Sequence, residues 1–109
     1  MGIQAFTPMG NTVTFTAATS APSPVQAVSR TIAGTQYRII NTGTVVAFLG
    51  HGSISTDASN NALIVTSSQF SIPLLPNTDE ILTFEGNAYF TAITASGSAV
   101  IYITPGDGL

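Results

Sequence analysis

Apolar and polar residues alternate most strictly at residues 12–17, where Val13, Phe15 and Ala17 fall on one side of an extended chain and Thr12, Thr14 and Thr16 on the other. A period of two marks a half-buried strand. Residues 18–24 form a small-residue loop carrying Pro22 and Pro24, and residues 25–29 give a weaker strand signal. Gly34 introduces a strand at 37–40, which Asn41-Thr42-Gly43 turns into an apolar strand at 45–49; the pattern predicts a hairpin. Residues 50–61 read as a loop in which Asp57 is placed to cap one helical turn. Short strands follow at 63–66, 69–75, 80–84, 89–94 and 99–104, separated by Ser-, Asn-, Gly- and Pro-rich turns.

Turn signals recur about every ten residues, β-branched residues are abundant, and no long segment has a 3.6-residue period. The expected fold class is all-β, an antiparallel β-sandwich or jelly roll of about eight short strands. The segments 37–50 and 89–106 resemble each other as Tyr-led hairpins, but no period is sustained along the chain as a solenoid requires.

Residues 1–11 differ in kind: they hold Ile3, Phe6 and Met9 with Pro8 and Gly10, carry no charge and show no alternation. The expected organisation is an N-terminal arm at 1–11 and a single β-sandwich domain at 12–109. A free arm would expose apolar side chains to water, so it docks on a partner or packs on its own domain. Ile3, Phe6, Pro8 and Met9 are the candidate partner-binding residues.

Composition narrows the function. Leu, Ile, Val and Phe supply 30 of the 109 residues, above the roughly 20% below which chains stay disordered. The length suits one core. Only 6% of residues are charged, Lys is absent, and Arg30 and Arg38 are the sole strong cations. Such a chain cannot neutralise the run of phosphates that nucleic-acid binding requires. The net charge of −3 sets up little steering field. Without cysteine there is neither a disulfide framework nor a thiolate metal site. The N-terminus lacks the basic start and apolar run of a signal peptide, and no stretch approaches membrane-spanning length, so synthesis in a cytoplasm is expected. Sixteen Thr and eleven Ser finish the surface in place of charges. Low charge and neutral polar area favour association.

Candidate chemistry is sparse. His51 with Asp57 and any of many serines makes a triad on paper, but no G-x-S-x-G elbow is present, and a loop histidine with a satisfied ring nitrogen is the simpler reading. No enzyme activity is expected. A single histidine leaves transition-metal ligation without partners. Asp79, Glu80 and Glu85 admit a surface Ca²⁺ site, but the D-x-[DN]-x-[DN]-G loop is missing and turn formation explains them more simply. No cofactor is implied. The glycine pairs at 50/52 and 106/108 lack a following helix and read as turns, not phosphate cradles. Carbohydrate binding lacks a Trp platform, and Tyr37, Tyr89 and Tyr102 sit in apolar strands.

Three stretches of the second half, 72–82, 88–99 and 102–108, together with Phe6-Thr7-Pro8 and Tyr37-Arg38-Ile39-Ile40-Asn41, resemble small head proteins of tailed bacteriophages. The resemblance covers most of the chain and rests on strand and turn signatures. It implies a capsid decoration, or cement, protein: a virion structural protein on the outer capsid surface that binds the major capsid protein, stabilises contacts between capsomers, and has no active site. It also implies a homo-oligomer at a capsid symmetry axis, a homodimer in preference to a trimer. The alternative is a head-surface module that binds the host or a carbohydrate.

Overall fold

Among the residues that the computed structural model describes, 6–29 and 35–107, the chain forms β1 (Thr7–Pro8), β2 (Val13–Ala17), β3 (Val25–Gln26), β4 (Gln36–Asn41), β5 (Ala47–Gly52), α1 (Ser55–Asn61), β6 (Ile72–Leu74), β7 (Thr78–Thr83), β8 (Tyr89–Thr94) and β9 (Ala99–Asp107). The strands assemble into two antiparallel sheets. The first runs β2-β9-β4-β7, with β1 also beside β9, and the second runs β3-β8-β5-β6. From β2 to β5, and again from β6 to β9, each strand crosses to the opposite sheet. That nesting is the jelly-roll order, and the chain is an all-β sandwich.

Period-two patterning decides what the sandwich encloses. Phe15 and Ala17 of β2, Tyr37 and Ile39 of β4, and Ala99, Ile101 and Ile103 of β9 point inward from the first sheet. Ala47 and Leu49 of β5, Leu74 of β6, and Phe90 and Ala92 of β8 meet them from the second. The alternate residues Thr14, Thr16, Arg38 and Tyr102 remain exposed on the outer face of the first sheet. The outer face of the second sheet is covered: α1 lies along β5, and Thr91 donates its hydroxyl hydrogen to the Pro22 carbonyl at 2.7 Å. Gly50 permits the close approach of α1. A methyl group there would collide with the Ala58 carbonyl oxygen and the Ala62 amide.

Four expectations are corrected. Segments 37–40 and 45–49 do not form a hairpin, because β4 belongs to the first sheet and β5 to the second. Asn41 is the reason. Buried at 1% exposure, it donates from Nδ2 to the carbonyls of Val45 (3.1 Å) and Leu74 (3.0 Å) and accepts the Gly43 amide at Oδ1 (2.9 Å). The residues expected to make a hairpin turn instead tie the end of β4 to β6 of the opposite sheet. The similar segment 89–106 is also a crossover, from β8 to β9. Residues 63–66 are not a strand. Their backbone is captured locally, the Leu63 amide donating to Ser71 Oγ, which in turn donates to the Asn61 carbonyl, both at 2.6 Å. The expected single helical turn is a seven-residue helix whose N-cap is Ile54, with Asp57 inside its first turn.

The segment read as an arm is part of the first sheet where it is described. Thr7 and Pro8 pair with Asp107 and Gly106, the Met9 amide donates to the Pro105 carbonyl at 2.9 Å, and Gly10 bridges Ser29. Ile3 lies outside the described residues. Pro8 suits this place, because an edge strand tolerates a residue without an amide hydrogen.

Candidate functional site

Two arrangements of side chains stand out. At one end of the sandwich an aromatic stack leads from the core to the surface. Tyr37 meets Phe90 edge to face at 5.0 Å and Phe84 at 5.9 Å, Phe84 lies 4.1 Å from the His51 ring, and His51 lies 5.3 Å from Phe70. Such pairs favour offset or edge geometries and add to area burial. The Tyr37 hydroxyl donates to the Glu85 carbonyl and accepts the Ala88 amide at 3.1 Å, which fastens the turn between β7 and β8 to β4. Burial pushes the Tyr37 phenol above its ordinary value of 10.0; the Ala88 bond opposes the shift and the Glu85 charge adds to it.

His51 Nδ1 lies 3.3 Å from Glu85 Oε1, and the His51 carbonyl accepts from Asn61 Nδ2 at 3.0 Å. Its ring neighbours are aromatic carbons and one carboxylate, and no serine hydroxyl is bonded to it among the described residues. That arrangement suits packing. Among the described residues no group of three or more His, Asp or Glu side chains is placed to hold a metal ion. Asp79 and Glu80, neighbours in sequence, point to opposite faces of β7. Glu85 lies beyond its end.

The second arrangement is on the outer face of the first sheet. The β4–β7 register sets Arg38 opposite Ile81 and Ile40 opposite Asp79. Arg38 therefore meets Asp79 on the diagonal, and its Nε and Nη2 both donate to Oδ2, at 3.0 and 2.8 Å. Both side chains are about half exposed, at 49% and 51%. An exposed pair of this kind contributes at most about 1 kcal/mol to stability. It stands between two hollows. One, of about 540 Å³, is lined by Phe6, Pro8, Arg38, Asp79, Glu80 and Ile81. The other, of about 310 Å³, lies toward Ile40, Thr42 and Asn77.

Phe6 and Pro8, singled out in the sequence, thus wall the larger hollow, while Met9 serves the pairing with β9. Phe6 is held by the missing side chain of Gly106, where a methyl would come within 2.6 Å of the Phe6 ring. Arg38 was not among the sequence candidates, and Asp79 entered only with Glu80 and Glu85 as a possible Ca²⁺ ligand. The signal available was scarcity: in a chain with two Lys or Arg residues, an arginine inside a strand is conspicuous. Nothing in the sequence pairs it with a carboxylate 41 positions on.

Exposed apolar side chains concentrate elsewhere. Ile54, Leu63, Ile64 and Phe70 are 54%, 45%, 36% and 62% exposed, all in the segment that runs from the N-cap of α1 to the aromatic end. The segment is held by the Ser71 bonds and by Gln69 Oε1, which accepts the Thr66 and Ser67 amides at 2.9 and 3.2 Å. No protein-family model, curated protein or solved structure matches the chain.

Proposed function

We propose that the chain is a virion structural protein, a decoration or cement subunit that binds the major capsid protein from outside the shell of a tailed bacteriophage and stabilises contacts between capsomers. The observation that carries this reading is the ordered apolar surface of residues 54–70. Four large apolar side chains are presented to solvent there by a segment whose backbone is hydrogen-bonded in place. Large apolar side chains left exposed along one segment mark a candidate interaction surface, and a segment already held in place loses little entropy on docking.

The charge deficit supports the same reading. A contact with few ions has little Coulombic affinity for salt to screen, and many copies making modest contacts hold a shell by multivalency. The resemblance of residues 72–82, 88–99 and 102–108 to phage head proteins adds to it. The jelly roll is compatible but does not discriminate, since capsid and lectin domains both use it. The subunit acts as a homo-oligomer, a dimer in preference to a trimer.

The test is sedimentation of the purified chain with capsids lacking it, at low and high salt. Saturable binding that persists at 1 M salt, where the Debye length is about 3 Å, and that drops in a Leu63→Ser/Phe70→Ser double variant of unchanged thermal stability is the expected result. Binding that vanishes with salt, or that ignores the double variant, refutes the proposal.

A further inference from the structure

We infer that the outer face of the first sheet binds a neutral oligosaccharide laid across the two hollows that flank the Arg38–Asp79 pair. This site is separate from the 54–70 surface and does not depend on capsid attachment.

Complementarity to a polyhydroxylated ligand comes first. Arg38 uses Nε and Nη2 on a single oxygen, Asp79 Oδ2. The pair leaves Nη1 as a donor and Oδ1 as an acceptor, side by side and half exposed. A hydroxyl both donates and accepts, so a vicinal diol can take a hydrogen from Nη1 and give one to Oδ1. Each bond would be charge-assisted. The guanidinium fork is fixed in orientation by Asp79, which reduces the ordering cost of binding.

Ligand charge is constrained as well. Arg38 and Asp79 neutralise each other, in a chain of net charge −3. An anionic glycan or a phosphate would face the Asp79 carboxylate with the arginine beside it already paired. A cation would face that same arginine. An uncharged ligand meets neither penalty.

Apolar surface and size complete the match. Phe6, Pro8 and Ile81 wall the larger hollow, and Tyr102, 39% exposed, stands beside Ile40, which lines the smaller one. Sugar rings have C–H faces that lie against aromatic and aliphatic side chains. Volumes of about 540 and 310 Å³ fall within the roughly 300–1,000 Å³ of small-ligand sites. The two hollows meet at the ion pair, so an unbranched chain of sugars would cross it.

The experiment is a glycan array carrying neutral and acidic oligosaccharides, followed by calorimetric titration of the neutral hits and of cellopentaose, maltopentaose and chitopentaose. At least one neutral oligosaccharide is expected to bind. Arg38→Ala and Asp79→Ala should each weaken it at least about tenfold, the effect of losing one charge-assisted bond. Arg38→Lys, which keeps the charge and loses the fork, should weaken it too. Thr16→Ala, on the same face at β2, should leave it unchanged. Circular dichroism checks that each variant is folded, and Arg38→Lys carries the test if the alanine variants are not. Absence of any neutral binding at millimolar ligand, preference for acidic glycans, or affinity indifferent to Arg38→Lys overturns the inference.

Discussion

Replacing Tyr37 by Phe removes one oxygen atom from the core and leaves the ring against Phe84 and Phe90. No cavity of consequence opens, so the loss is polar. Two hydrogen bonds disappear, from Tyr37 to the Glu85 carbonyl and from the Ala88 amide to Tyr37. Ala88 has no solvent exposure, so its amide is stranded. A stranded buried donor costs about 1–3 kcal/mol, and with the lost bond to Glu85 the total is roughly 2–4 kcal/mol. For a chain of this size that lowers Tm by roughly 10–20 °C.

The pH dependence gives an independent check. Because burial raises the Tyr37 phenol above 10.0, the native state keeps a proton that the unfolded state has already released. The wild type therefore holds this stabilisation in full below the unfolded value and loses it as pH rises through the native one. The Phe variant has no such proton. Urea unfolding at pH 7 and again above pH 10 should show a stability gap that narrows on the alkaline side, with m unchanged at pH 7. A loss below about 0.5 kcal/mol at pH 7, well under that of a stranded amide, or a gap that does not narrow, would refute the clamp.

Other substitutions test separate joints of the structure. Gly50→Val should detach α1 from β5 and cost upwards of about 2 kcal/mol, read by chemical denaturation, because the colliding atoms are backbone. Gly106→Ala should displace Phe6 and β1 without unfolding the sandwich, seen as faster hydrogen exchange at the Met9 amide while core amides of β4 and β9 keep their protection. Arg38→Ala should change stability by no more than about 0.5–1 kcal/mol, since the pair it breaks is half solvated, so any loss of ligand binding in that variant is local.

The strand content of this chain is legible because threonine and apolar residues alternate at 12–17 and apolar residues crowd 89–94 and 99–104. The observed β2, β8 and β9 follow those segments closely. Sheet membership is not legible in the same way. Asn41-Thr42-Gly43 carries ordinary turn residues, and the side-chain bonds of Asn41 to Val45 and Leu74 that tie the end of β4 to the opposite sheet leave no mark in the pattern. Asp79 illustrates a similar limit. It follows a Pro-Asn turn and reads as part of it, yet it belongs to β7, and the register with β4 brings it onto Arg38. Residues 63–66 fail for the opposite reason. Their apolar pattern suits a strand, but the Leu63 and Thr66 amides are taken up by Ser71 and Gln69, and Leu63 and Ile64 face solvent.

A reconstruction of the intact phage particle at side-chain resolution tests the assignment of the chain to the capsid exterior most directly. Density for this jelly roll is expected outside the shell, with Leu63, Ile64 and Phe70 against the major capsid protein and the Arg38–Asp79 face turned to solvent. A particle without the chain, or with it inside the shell, would contradict the assignment.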